Sequence, residues 1–231
     1  MIGARVKASP EWKQFDTAVL GVSLHSSNFE PGAVKAMLTL IEQQYESLTI
    51  DLTDTLNRHT YHAEQGLPIH EAHRLARRNG DLWLADNIAM IENLRIPVQI
   101  RRWDHWLNDT RFIDYKDRFE DAFTKQDTFR QAVIEDINAY AQRRFSKSAS
   151  ELPWPLFQGC KQYLLEEMAC HSILYEDKAC ATLYPGNQQS CYKMARAGLV
   201  QDVPKGLENS YFVRLVLHGV ESKPTPIRLA A

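Results

Sequence analysis

Two short apolar runs and the amphipathic segment between them limit what this chain can fold into. The first run, residues 17–22, reads Thr-Ala-Val-Leu-Gly-Val, and the second, residues 47–52, reads Ser-Leu-Thr-Ile-Asp-Leu. Between them, Pro31 and Gly32 begin a helical pattern whose apolar residues share one face. This order predicts a β-α-β unit with two parallel strands and a right-handed crossover.

The rest of the chain repeats the alternation of strands and helices. Further strands are predicted at residues 96–103, 179–184 and 210–217, and helices at 68–94, 109–146, 156–173 and 187–197. Asn79 and Gly80 predict an interruption in the second helix. Residues 51–66 are expected to form a loop, and residues 1–16 and 221–231 loose ends. The pattern predicts one α/β domain over residues 1–231.

Composition excludes several classes of protein. The chain is 44% hydrophobic and 24% charged, as in ordinary soluble domains. It has no run of about 18 apolar residues and no signal-peptide pattern, which indicates a cytoplasmic protein without a membrane partner. The net charge of −2 means that any contact with nucleic acid must use a local patch. The cysteines form no C-x-x-C pair and are expected to be buried free thiols: Cys160, Cys170, Cys180 and Cys191.

Ser23 follows the first strand and is the first candidate for chemistry. Ligands of open α/β sheets bind at the carboxyl ends of the strands, where a hydroxyl can act as a nucleophile. The flanking residues lack the G-x-S-x-G elbow of α/β-hydrolases, since Val19 and His25 occupy the glycine positions. The alternative is that Ser23 only caps the following turn.

Two tyrosines and a carboxylate form the second candidate group. Tyr163 and Glu167 are four residues apart in a predicted helix, so they share a face and could hold an ammonium group. Tyr184 ends the next strand and is followed by Pro185. Alternatively, the helix pair is a solvated face and Tyr184 a core aromatic. Glu166 is a competing carboxylate one position away.

A basic stripe on the 68–94 helix is the third candidate. Arg74, Arg77 and Arg78 have helical spacing and could neutralise phosphates, with Arg101 and Arg102 adding charge. A solvated helix face is the alternative. The histidines do not match a metal-site spacing and are interpreted as surface or loop residues.

Taken together, the motifs resemble those of the cyclodipeptide synthases. The resemblance rests on Gly21-Val22-Ser23, on Tyr163-x-x-x-Glu167 and on Tyr184-Pro185, in the order and approximate spacing of that family. It covers residues 17–217. Ser26 and Pro185 match the family branch that lacks Asn three residues after the serine and has Pro after the strand-end tyrosine.

The resemblance implies a fold, a reaction and residue roles. The fold would be a Rossmann-type parallel sheet flanked by helices, similar to the catalytic domain of class I aminoacyl-tRNA synthetases. The substrates would be two aminoacyl-tRNAs, with no cofactor, metal or DNA involved. The implied catalytic residues are Ser23 as nucleophile, Tyr163 and Glu167 around the substrate amine, and Tyr184.

The remaining site residues that the resemblance implies carry binding roles. Gly21, Ser26 and Pro185 would contact the substrate, and Arg74, Arg77 and Arg78 would contact tRNA. The chain has fewer basic residues on the 68–94 helix than the better-known branch. Two alternatives stay open: an inactive aminoacyl-tRNA-binding protein of this fold, and a serine hydrolase that uses a histidine as its base. The amino acids incorporated and the oligomeric state are not indicated by the sequence.

Overall fold

One six-stranded sheet organises the molecule, as seen in a computed structural model that describes residues 2–8, 10–24 and 26–219. The strands are β1 (Gly3–Lys7), β2 (Thr17–Val22), β3 (Ser47–Leu52), β4 (Val98–Arg102), β5 (Cys180–Tyr184) and β6 (Ser210–His218). Their order is β1-β6-β5-β2-β3-β4. Strands β2 to β6 are parallel, whereas β1 pairs with β6 in the antiparallel direction. The predicted parallel α/β sheet is confirmed.

Helices cover both faces of this sheet. They are α1 (Pro31–Gln44), α2 (Arg58–Gln65), α3 (Ile69–Glu92), α4 (Trp103–Leu107), α5 (Phe112–Lys125), α6 (Asp127–Phe145), α7 (Trp154–Asp177) and α8 (Ser190–Arg196). Leu20 of β2 and Leu183 of β5 pack with α1 in one core, whereas Val19 and Cys180 pack in a second core with α5 to α8. Successive strand residues therefore face opposite cores, and α7 lies over the face that carries Val19. In the described part of the chain, no helix is long and apolar enough to cross a membrane.

The amino-terminal segment differs from the prediction of a loose end. Residues Gly3–Lys7 form an edge strand, and Trp12 is buried in a short 3-10 turn that follows it. Ala4 and Val6 pack against the core that contains α1, while Arg5 and Lys7 are exposed on the opposite face. Because only two apolar side chains of this strand pack against the core, its alternating pattern is too short to predict a strand from the sequence. The predicted loose end at 221–231 lies outside the described residues.

Four other segments of the chain also differ in extent or type from the predicted elements. Residues 51–66 complete β3 and then form a 3-10 turn and α2 rather than a loop. The 109–146 segment divides into α5 and α6 at Gln126. Helix α7 is longer at both ends than predicted, and β4 ends one residue before Trp103, which begins α4.

Helix α3 passes through Gly80 without the predicted interruption. Gly80 is needed for close packing instead, because a Cβ there would lie 2.6 Å from Asp54 Oδ2 and 2.9 Å from Arg102 Nη2. Asp54 is fully buried and accepts hydrogen bonds from Arg102 Nε at 2.6 Å and from the Trp103 N–H at 3.1 Å. The glycine lets α3 approach this ion pair at the end of β4.

Gly80→Ala is therefore expected to destabilise the protein although alanine is the better helix former. The added methyl group must displace the Asp54–Arg102 pair, which should lower the free energy of unfolding by about 1–3 kcal/mol. Urea denaturation measures this, with Ala89→Gly on the same helix as a comparison that should cost only about 1 kcal/mol. A variant more stable than the parent would contradict the packing argument.

Candidate active site

Ser23 lies at the carboxyl end of β2, which pairs with β5 on one side and β3 on the other. The backbone just before it is fixed, because Thr53 donates to the Val22 carbonyl from its N–H at 3.2 Å and from its hydroxyl at 2.7 Å. The Ser26 N–H donates to the Ser23 carbonyl at 3.3 Å, which closes a turn. The half-buried Ser23 is thus held at the sheet edge where ligands of this fold class bind.

Tyr184 is the neighbour of Ser23 from β5. Its ring passes over Gly21, where a Cβ would lie 4.0 Å from Tyr184 Cδ2, and its centroid is 5.8 Å from that of Phe29. Burial raises the pKa of Tyr184 and the charge of Glu167 raises it further, while the adjacent Ser23 hydroxyl acts in the opposite direction. The phenol therefore stays protonated at neutral pH beside the serine hydroxyl.

Helix α7 brings Tyr163 and Glu167 to the same place. Burial raises the pKa of Tyr163 well above its usual value, and Glu167 adds to this rise, whereas the Thr53 hydroxyl opposes it. Glu167 acts on both phenols and Tyr184 acts on Tyr163, so these three side chains are neighbours at the ends of β2 and β5, with Ser23 next to Tyr184. The structure brings together the four side chains that the sequence selected.

The environment of Glu167 shifts its pKa upward. Burial raises its pKa, His171 opposes the rise, and the charges of Asp51 and Asp136 add to it. Gln189 Nε2 donates to Glu167 Oε2 at 3.3 Å, the one hydrogen bond that the described residues offer this carboxylate. A carboxyl group with few donors and a raised pKa is suited to accept a proton from an amine.

Glu166 is bound in a different way. It is 1% exposed and accepts hydrogen bonds from Arg58 Nη2 at 2.6 Å and Trp103 Nε1 at 2.8 Å, with His59 Nε2 at 3.0 Å. Burial alone would raise its pKa, but His59 and Arg58 outweigh that effect and hold it at about 2. Glu166 therefore joins α7 to α2 and α4, and Glu167 is the carboxylate that faces the phenols.

A row of hydrogen-bonded, buried polar side chains lies next to Glu167, and the sequence motifs do not indicate it. Asp51 Oδ2 lies 2.9 Å from His171 Nε2, and His171 Nδ1 lies 2.7 Å from the Tyr192 hydroxyl. Trp106 Nε1 donates to the other Asp51 oxygen at 2.8 Å. The interpretation of all histidines as surface or loop residues is wrong for His171, which is 8% exposed. It follows Glu167 by four residues on α7, a spacing that could have identified it.

The three predicted substrate-contact residues lie around the same edge. Ser26 Oγ accepts the Asn28 N–H at 3.3 Å and so caps a short 3-10 turn. Asn28 Nδ2 donates to the Pro185 carbonyl at 3.4 Å, which joins the segments that follow β2 and β5. Gly21 has no side chain, so the ring of Tyr184 lies next to its backbone. The structure thus shows Ser26 and Pro185 shaping the loops around Ser23.

The predicted basic stripe is exposed on α3 and partly neutralised. Arg77 Nη1 lies 2.7 Å from Asp104 Oδ2, and Arg74 lies 3.8 Å from Glu71, whereas Arg78 forms no ion pair within the described residues. Arg102, which was expected to add charge, is bound to Asp54 and Asp81. Within the described residues, Arg77 is therefore the closely paired member of the stripe, and Arg78 keeps its charge free.

The prediction of buried free cysteines is confirmed. All four cysteines are buried and free. Within residues 2–8, 10–24 and 26–219, no group of three or more His, Cys, Asp or Glu side chains is arranged to hold a metal ion.

Known proteins share this fold. A cyclodipeptide synthase from Fluoribacter dumoffii is 24% identical, with 94% of this chain and 98% of that chain covered and a TM-score of 0.83. One from Candidatus Glomeribacter gigasporarum, solved bound to Phe-tRNAPhe, is 20% identical, with 93% of both chains covered and a TM-score of 0.66. A tyrosyl-tRNA synthetase from Archaeoglobus fulgidus is 16% identical over 89% of this chain and 55% of its own, with a TM-score of 0.52.

These likenesses confirm the predicted fold, including its similarity to the catalytic domains of class I aminoacyl-tRNA synthetases. A search of curated protein sequences found no match. The family model described as cyclodipeptide synthase matches residues 7–170, which is more than half of the sequence. The chain therefore belongs to the cyclodipeptide synthase family.

Proposed function

We propose that this protein makes a cyclic dipeptide from two aminoacyl-tRNAs through an aminoacyl ester on Ser23. The observation that carries the proposal is that Ser23 and Tyr184 are neighbours at the carboxyl edge of the sheet, with Tyr163 and Glu167 facing them from α7. Family membership and the tRNA-bound relative support it. We further propose, from the identities of Ser26 and Pro185, that the chain belongs to the family branch with Pro after the strand-end tyrosine.

In the first step Ser23 accepts the aminoacyl group. Its hydroxyl attacks the ester carbonyl of the first aminoacyl-tRNA, the bond to the tRNA ribose oxygen breaks, and the serine proton ends on that ribose hydroxyl. No ATP is needed because the ester already stores the activation. The product is an acyl-enzyme and one free tRNA, as a ping-pong scheme requires.

In the later steps two amines react in turn. The amine of the acyl-serine attacks the ester of the second aminoacyl-tRNA, which releases the second tRNA and leaves a dipeptidyl-serine. The terminal amine then attacks the serine ester, so that a six-membered diketopiperazine leaves and the Ser23 hydroxyl is restored. Each attack requires an amine to lose a proton.

Glu167 and the two phenols fit those requirements. Glu167 would bind the first ammonium group together with Tyr163, and its raised pKa makes it a better proton acceptor than an ordinary carboxylate. Tyr184 remains protonated beside Ser23, so it can donate a hydrogen bond to the developing oxyanion or return a proton to the serine oxygen.

The direct test is synthesis from charged tRNA. Purified protein is mixed with aminoacyl-tRNAs, and cyclic dipeptides are measured by mass spectrometry. We expect cyclic dipeptide and two equivalents of free tRNA, and no product from uncharged tRNA with free amino acids. Binding of aminoacyl-tRNA without any cyclic dipeptide would contradict the proposal and favour an inactive binding protein.

Glu167→Gln should separate the role of the charge from that of packing. The amide cannot accept the proton, so we expect kcat to fall by about 10²–10⁴-fold while the fold is kept. Glu135→Gln, on the exposed side of α6, is the matched control and should behave as the parent. Steady-state rates of cyclic dipeptide formation measure both, and near-normal kcat in Glu167→Gln would remove this residue from proton transfer.

A further inference from the structure

A row of cations begins beside Tyr184 and runs to the edge of the sheet. Arg214 of β6 is in register with Tyr184 of β5 on one side and with Lys7 of β1 on the other. Neighbouring strands lie about 5 Å apart, and residues in register project from the same face. Arg5, which pairs with Val216, shares this face. Arg5 and Lys7 are exposed.

Helix α8 adds a fourth cation to the same face. The Arg196 guanidinium lies 5.5 Å from the ring centroid of Phe212, and its Nη2 is 3.4 Å from the Thr182 hydroxyl. Phe212 precedes Arg214 by two residues on β6, so both project toward α8. We call Arg5, Lys7, Arg196 and Arg214 the cationic strip.

The cationic strip has no counter-charge among the described residues. Most of the other arginines form ion pairs, for example Arg58, Arg95 and Arg111. No member of the strip forms an ion pair within the described residues. Arg196 Nε and Nη1 and Arg214 Nε are buried without an acceptor. Burial also lowers the pKa of Arg196. Buried charged donors that lack an acceptor are unfavourable, so the strip is incomplete without an anion.

We propose that the cationic strip binds phosphate groups of the tRNA acceptor end while its terminal ester is at Ser23. This inference rests on the proposed function. The strip starts at the strand next to Tyr184, which is itself next to Ser23, so the nucleotides preceding the terminal ribose can leave the site over it. Cations that neutralise phosphates position a nucleic acid without reading its bases. On a protein with a net charge of −2, such contacts must be local.

The salt dependence of tRNA binding tests the strip. The affinity for total tRNA is measured by filter binding at several KCl concentrations for the parent, Lys7→Gln, Lys7→Gln with Arg214→Gln, and Arg78→Gln. Lys35→Gln is the matched control, because Lys35 is exposed on α1, forms no ion pair within the described residues, and lies on the other face of the sheet. The slope of log K against log salt is negative, and each lost phosphate contact should make it shallower by about 0.7–0.9.

We expect the slope to become shallower by the amount of about one phosphate contact in Lys7→Gln and of about two in the double variant. The affinity for tRNA should fall several-fold for each charge removed. Cyclic dipeptide synthesis at saturating tRNA should remain, because neither residue touches the reacting atoms. Lys7 is on the surface, so its variant tests the strip even if the double variant fails to fold.

Three results would overturn the inference. In the first, the slope is unchanged in the Lys7 and double variants but becomes shallower in Arg78→Gln. This would place the tRNA on α3 and leave the proposed function intact. Thermal stabilisation by inorganic phosphate that is lost in the double variant, without any change in tRNA binding, would indicate a site for free phosphate. A parent protein that binds no tRNA would contradict both this inference and the proposed function.

Discussion

Ser23→Ala should abolish cyclic dipeptide formation while leaving the fold intact. The methyl group fits where the hydroxyl lies, since Ser23 is half-buried and the neighbouring backbone is held by Thr53 and Ser26 rather than by the Ser23 side chain. Without the oxygen, no acyl-enzyme can form, and the rate should fall by at least about 10⁴-fold. The initial rate of product formation from charged tRNA measures this.

Ser27→Ala is the matched control for that variant. Its hydroxyl is four residues farther along the chain, and in the described structure only the Ser27 backbone carbonyl is engaged, by the Glu30 N–H at 3.3 Å. This control should make product at the parental rate. If Ser23→Ala also turns over normally, Ser23 is not the nucleophile, and the acyl group is carried by another residue or passes directly between the two tRNAs.

Glu166→Gln is expected to be the most destabilising of the conservative changes in this region. It leaves Arg58 without its counter-charge and disturbs the hydrogen bond from Trp103 Nε1. Removing one partner of a buried ion pair costs about 3–5 kcal/mol. Urea denaturation at pH 7 measures the loss. Glu167→Gln, which breaks no ion pair among the described residues, is the neighbouring control.

The same carboxylate predicts a pH dependence of stability. Its pKa is held at about 2 in the folded protein, below the ordinary value of 4.5, because His59 and Arg58 outweigh the effect of burial. A lowered pKa gives stability that is present above pH 4.5 and is lost as the pH falls toward 2. Glu166→Gln should therefore lose less stability than the parent over that interval. Equal losses in both proteins would mean that Glu166 is not the group responsible.

The order of strands and helices could be predicted from the sequence, because long apolar patterns dominate it. The run at residues 17–22 and the helical face of residues 31–44 each bury several apolar side chains, so their periods are clear. Strand β1 and helix α2 were missed for the opposite reason. Each buries few apolar side chains, and its place is set by contacts with distant elements.

Within the site, motifs identified residues but not their surroundings. Glu166 and Glu167 are adjacent in sequence, and the position of Arg58 and His59 on α2 determines that, among the described residues, Glu166 forms ion pairs and Glu167 does not. In the same way, the arginines of α3 have the spacing of a phosphate-binding face, yet Asp104 approaches Arg77 from α4. Such pairings depend on tertiary contacts that no local pattern contains.

The acyl-enzyme on Ser23 is the central claim, and mass spectrometry of a trapped intermediate tests it most directly. Protein in excess is mixed with one kind of aminoacyl-tRNA, quenched in acid and digested. The peptide containing Ser23 should gain the mass of one aminoacyl group, and this gain should be absent in Ser23→Ala. Acylation at another residue, or cyclic dipeptide formation without any acylated protein, would contradict the claim.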